Sequence, residues 1–168
     1  MSKVTIFRSG IRSLTITRLI LDDHSNMIKN TIEQILVPMD GSKGSFKALT
    51  KAIFLAKKCD SSITVLYVLH TAFDNPNLIY LPQSQNELKK VEKFLATAKN
   101  QVTKNSIKFK KEIIFGHEAK EIIDFAQKGK FDLIVIGARG RGTIKQMLLG
   151  SVSNTVVHSS KIPVLVIK

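Results

Sequence analysis

From residue 34 onward the apolar positions alternate between two rhythms. "QILVPM" (34–39) is a short apolar run closed by Asp40-Gly41-Ser42, a turn and helix-cap signal. Phe46, Leu49, Ile53 and Ala56 then recur at three- and four-residue steps, which predicts a helix with one apolar face. "SITVLYVL" (62–69) is β-branched and wholly apolar in its second half, predicting a buried strand. Beyond a loop holding Pro76 and Pro82, a second helix stripe runs through Leu88, Val91, Leu95, Ala98 and Val102. "IKFKKEIIFG" (107–116) predicts a strand whose lysines suit a half-exposed edge. Ala119, Ile122, Ile123 and Ala126 mark a third helix, and "DLIVIG" (132–137) is the most hydrophobic strand. A short helix around 143–148, another from Ser151 to about Ser159, and a closing strand "PVLVIK" (163–168) complete the pattern.

Strands that alternate with helices predict an open α/β fold with a parallel sheet and helices on both faces. For five strands in the flavodoxin-like order 3-2-1-4-5, the order reverses between the first and fourth strands. Ligands of such sheets bind there, at the carboxyl ends. The loops at that point are Asp40-Gly41-Ser42 and the stretch opening at Gly137. Residues 1–27 stand apart. They hold Arg, Ser and Thr with no acid before Asp22, and an apolar face of Phe7, Ile11, Leu14 and Leu21 is interrupted by Arg18. The composition overlaps with organelle transit peptides. We expect a poorly ordered N-terminal extension over 1–27, untranslated or cleaved in two variants of the reading, and a single domain over 28–168.

The stretch "GARGRGTIKQMLLGS" (137–151) carries the candidate chemistry. Glycines let a backbone approach phosphate oxygens, and helix N-terminal amides point at them. The Walker loop requires a lysine where Thr143 stands. The dinucleotide fingerprint requires a third glycine where Lys145 stands, and it follows a first strand, not a fourth. What remains is Gly137-x-x-Gly140, nine residues, then Gly150-Ser151.

That spacing resembles the ATP-binding branch of the universal stress protein family, and the likeness covers about 34–168. "ILVPMDGS" resembles the family's first strand and ligand-binding Asp, "TVLYVLH" its second strand, and "GHEAKEIIDFA" its third helix. "DLIVIGARGRG" together with "LLGSVSNTVVHSSKIPVLVIK" resembles its C-terminal half almost continuously. The resemblance implies an adenine nucleotide alpha hydrolase-like fold. It also implies a site in which Pro38 and Asp40 line the nucleoside pocket, the Asp40 carboxylate accepting ribose hydroxyls. Val68 would meet adenine through its backbone. Gly137 and Gly140 would offer amides to the phosphates. Gly150, Ser151 and Val152 would add amides at a helix N-terminus, and Ser153 would reach the terminal phosphate. The implied cofactor is ATP, with or without Mg²⁺, in a cytoplasmic stress-response or signalling module. The family's habit of dimerising through its last strand implies a homodimer here, able to recruit a protein partner.

Each residue also has a plainer reading. Asp40 can cap the first helix, Gly137 and Gly140 can be turn glycines, and Arg139 and Arg141 can be solvated. His70, His117 and His158 lack a second ligand at metal spacing and read as structural or exposed, with no metal site expected. Cys59, the single cysteine, reads as an inert thiol in a reducing compartment.

Composition narrows the alternatives. The 168 residues are 43% apolar, enough for one globular core, and no apolar run is long enough to span a membrane. A net charge of +13 invites nucleic acid, but no run of five or six like charges and no basic-aromatic stacking pattern accompanies it. A solvated lysine surface is the better reading. With no Walker lysine and no acidic cluster beyond Asp40, binding with slow or no hydrolysis is expected, and no catalytic residue. The competing class is a nucleotide-independent adaptor on the same fold.

Overall fold

The computed structural model describes residues 4–7, 31–70, 85–142 and 148–168. The elements are β1 (Val4–Phe7), β2 (Gln34–Pro38), α1 (Lys43–Cys59), β3 (Ser62–His70), α2 (Gln85–Thr103), β4 (Phe109–Gly116), α3 (Glu118–Lys128), β5 (Leu133–Gly137), α4 (Ser151–Ser159) and β6 (Val164–Ile167). The sheet order is β1-β6-β5-β2-β3-β4. Its five strands from β2 to β6 are all parallel, in the 3-2-1-4-5 order expected. The short helix expected around 143–148 falls, apart from Leu148, outside the described residues.

One strand is additional. The extension expected to be poorly ordered contributes β1, which pairs antiparallel with β6, Val4 opposite Ile167 and Phe7 opposite Val164. The rest of 1–27 lies outside the described residues. The physical reason is the edge itself. A terminal strand presents a row of unpaired amides and carbonyls. "VTIF", β-branched and aromatic, is suited to pairing with them. The edge expected to receive a second copy is thus paired within the chain.

Alternation along each strand builds two cores. Ile35, Val37, Ile63, Val65, Leu133, Val135, Leu165 and Ile167 face α1 and α2. Leu36, Leu66, Val68, Ile134, Ile136, Val164 and Val166 face α3 and α4. Both faces are therefore covered, which is why these strands read as continuous apolar runs. β4 is the exception expected of an edge, with Lys110, Lys111 and Glu112 exposed.

The frame fixes where the loops meet. β2 and β5 are neighbours, Ile35 beside Leu133. At their amino ends the Asp132 carboxylate accepts the amides of Glu33 and Gln34, both at 2.9 Å. From β2 the chain winds outward to β3 and β4, and from β5 outward to β6. The connections after β2 and β5 therefore part on opposite sides and leave a crevice at the carboxyl ends.

Candidate functional site

A cavity of about 510 Å³ opens at that crevice, within the usual range for small-molecule sites. All nine residues singled out from the sequence line it: Pro38, Asp40, Val68, Gly137, Gly140, Gly150, Ser151, Val152 and Ser153. They come from the ends of β2, β3 and β5 and from the start of α4, so only the parallel winding brings them together.

Asp40 ties two loops. One carboxylate oxygen accepts the Ser42 amide at 2.9 Å, and the other accepts the Arg141 amide at 3.0 Å from across the crevice. Burial pushes its carboxyl upward, but hydrogen bonds from Ser42, Ser45 and the Arg141 amide outweigh that and hold it below the ordinary carboxylate value. The plainer reading, Asp40 as helix cap, does not describe this geometry. Ser42 caps α1, its hydroxyl accepting from the Ser45 amide.

The glycines have separate reasons. A Cβ on Gly137 would lie 2.7 Å from the carbonyl carbon of Gly44, so this glycine lets β5 approach the first turn of α1. A Cβ on Gly140 would lie 2.6 Å from the Asp40 oxygen that holds Arg141. Gly142 has open space around its Cβ position. Gly41 takes φ +79° and leaves room for the Arg141 guanidinium, which lies over the Phe94 ring at 6.0 Å.

The far wall is α4. Gly150, not Ser151, is its N-cap, and no side chain caps the helix. Its first turn therefore opens uncapped into the cavity that Arg139 and Arg141 also line, a favourable seat for an anion. Ser153 departs from its expected part. It is buried, and its hydroxyl donates to the carbonyls of Ala138 (2.8 Å) and Gly150 (3.0 Å). The Ala138 carbonyl also accepts the Gly150 amide at 2.8 Å. Ala138 therefore fastens the start of α4 to the end of β5, and Ser153 fastens it a second time.

Sequence reasoning missed several wall residues. Met39 and Tyr67 neighbour predicted positions along the chain, Ser45 lies in the first turn of α1, and Glu118 and Ile122 come from the start of α3. The available signal for α3 was position alone, since it begins directly after the carboxyl end of β4. Phe94, beneath Arg141, joins the apolar face of α2 between Val91 and Leu95 and was not among the residues of the predicted stripe. Among the described residues no three His, Cys, Asp or Glu side chains gather to hold a metal ion, and no helix is long and apolar enough to cross a membrane.

Comparison with known proteins agrees with the fold. Residues 31–168 match the model of the universal stress protein family. The chain is 35% identical over 150 residues to the universal stress protein MJ0531 of Methanocaldococcus jannaschii, covering 83% of this chain and 84% of that one. The solved structure of MJ0577 from the same organism superposes with a TM-score of 0.65 at 25% identity, over 82% of this chain and 96% of that one. A universal stress protein of Archaeoglobus fulgidus, solved in complex with dAMP, superposes with a TM-score of 0.64 at 21% identity, over 81% and 98%.

Proposed function

The chain belongs to the universal stress protein family, and from that premise we propose that it holds ATP or another adenine nucleotide in the crevice between β2 and β5. The observation that carries this reading is the uncapped first turn of α4 opening into the same cavity as Asp40. A nucleotide presents those two needs together: an anion for the amides and ribose hydroxyls for a carboxylate. The dAMP complex of the Archaeoglobus fulgidus protein supports the class of ligand. In the bound state Pro38 and Val68 flank the base, Asp40 takes the ribose, and Gly140, Ser151 and Val152 give amides to phosphate. Gly137 and Ser153 shape the cradle, Gly137 by close packing and Ser153 by fastening α4, and Gly150 is the N-cap that its amide ties to the Ala138 carbonyl.

The residues fit a nucleotide better than its hydrolysis. Asp40 is already engaged by two amides, and among the described residues no three His, Cys, Asp or Glu side chains gather to hold a metal ion. Any Mg²⁺ arrives on the nucleotide's own phosphates, and turnover is slow or nil. The bound state then serves as the input of a cytoplasmic stress-response module, read by a partner protein or a second copy of the chain.

Denaturing the purified protein and identifying what it releases tests the reading, with calorimetric titration of ATP and AMP into the emptied protein alongside. Recovery of an adenine nucleotide, or saturable heat at millimolar ligand or below, is expected. An empty protein that takes up neither nucleotide leaves the adaptor reading in its place.

A further inference from the structure

Two helices start at the crevice, and their first turns differ in charge. α4 has no acid there, and Arg139 and Arg141 line the cavity with it. α3 has two acids, Glu118 and Glu121. They suit the positive end of their own helix and repel an anion from it. Glu121 is occupied beside the cavity: a Cβ on Gly116 would lie 2.6 Å from its side chain, and the Lys120 ammonium stands 3.5 Å from its carboxylate. Glu118 lines the cavity, and Asp40 is the other acid among the described wall residues. The sheet sets the order in which a ligand meets these groups. β5, β2, β3 and β4 are successive neighbours, each about 5 Å from the next. The glycine loop follows β5, Asp40 follows β2, Val68 lies near the end of β3, and Glu118 follows β4 after the single residue His117. One turn into α3, Ile122 packs in the same core cluster as Val68. β2 pairs with β3 only as far as Leu66, whose carbonyl accepts the Met39 amide at 2.8 Å. Backbone direction alternates along a strand, so Val68 turns its amide and carbonyl to that same side, past the end of β2.

We infer that Glu118 is a specificity-determining residue of this cavity, selecting purines with a 6-amino group over those with a 6-oxo group. The inference rests on the nucleotide reading above. With the phosphates at α4 and the ribose at Asp40, the base lies over the end of β3 and turns its exocyclic edge toward the start of α3. An ionised carboxylate accepts hydrogen bonds and donates none. A 6-amino group offers N–H donors at that edge, and a 6-oxo group offers an acceptor. The amine gains a charge-assisted bond to Glu118, whereas the oxo group sets one acceptor against another and leaves both desolvated without a partner. The same polarity fixes the direction of the ligand. Reversed, its phosphates would meet the Glu118 carboxylate and its base the two arginines.

Calorimetric titration of ATP and of inosine triphosphate into the emptied full-length protein tests this, with Glu118→Gln alongside. The substitution keeps the shape of the side chain, removes its charge and adds an amide donor suited to a 6-oxo group. Far-UV circular dichroism verifies that the variant is folded. The unaltered chain should bind ATP about tenfold to a hundredfold more tightly than inosine triphosphate, the range of a hydrogen bond to a charged group. In Glu118→Gln that ratio should fall about tenfold, ATP weakening and inosine triphosphate strengthening. The Val68 backbone is common to both proteins and cancels from the change in ratio. A Glu118 that only stabilised the start of α3 would shift both affinities alike and leave the ratio where it was. Equal affinities in the unaltered chain, or a ratio unchanged by the substitution, would overturn the inference and leave the nucleotide reading standing. If neither nucleotide binds at millimolar concentration, both fall together.

Discussion

Gly140 stands directly against the Asp40 carboxylate. The Asp40 oxygen that accepts the Arg141 amide leaves only 2.6 Å for a Cβ on Gly140. Gly140→Ala should therefore displace the carboxylate and break the tie across the crevice. A hydrogen bond to a charged group is worth about 1.5–3 kcal/mol, so nucleotide affinity should fall about tenfold to a hundredfold. Gly142→Ala meets no atom within 4 Å and should leave affinity within about twofold. Calorimetry on the two variants decides the matter, and equal losses would show that the loop responds to any lost glycine. Asp40 also sets a pH dependence. Its folded pKa lies below the ordinary value, so the stability it contributes is complete above that value and is lost as the pH falls through the folded one. The stability difference between the unaltered chain and Asp40→Asn should be constant near neutrality and shrink in acid. Urea unfolding at several pH values checks this, and a difference that grows in acid would reverse the sign assigned to Asp40.

Elements are placed by contacts that residue types alone do not announce. Asp132 holds the amino end of β5 to that of β2 through two amides, at the end of the sheet away from the cavity. Asp132→Ala should cost about 1–3 kcal/mol of stability, read by urea unfolding, and leave nucleotide affinity unchanged. A loss of affinity with no loss of stability would contradict that division. The β-branched and apolar runs of β2, β3, β5 and β6 were legible because helices cover both faces of the sheet, so burial leaves no polar positions. The stripes of α1, α2 and α3 were legible because each helix is covered on one side only. α4 starts at Ser151 as the sequence placed it, but its cap was less legible. Ser151 has the side chain of a cap, yet Gly150 holds that position, because the Ala138 carbonyl takes the Gly150 amide and turns the chain there.

For the whole molecule, the charge acquires a location only through the fold. α1 carries Lys43, Lys47, Lys51, Lys57 and Lys58 and no acid, and four of these are exposed on the solvent side while Ala48, Leu49, Ala52 and Ala56 face the sheet. That is a solvated helix face, as the absence of long charge runs led us to expect. β1 is the larger departure. Nothing in "VTIF" distinguishes an edge strand from any other short apolar piece. Its pairing depends on β6 lying at the end of the sheet, a property of strand order and not of either segment.

By itself the sequence determined the alternation of strands and helices and the parallel class, which follow from periodicity and local turn chemistry acting over short stretches of chain. The 3-2-1-4-5 order was taken over from known sheets of this class, and the nine residues around the crevice came with the resemblance to the family. Tertiary structure alone decided that Asp40 bridges to Arg141, that Gly137 is small for the sake of Gly44, that the Ser153 hydroxyl is spent on Ala138 and Gly150, and that β1 closes the sheet. Each of these depends on which backbone groups meet after the strands are side by side, and on which donors and acceptors are still unpaired when they do.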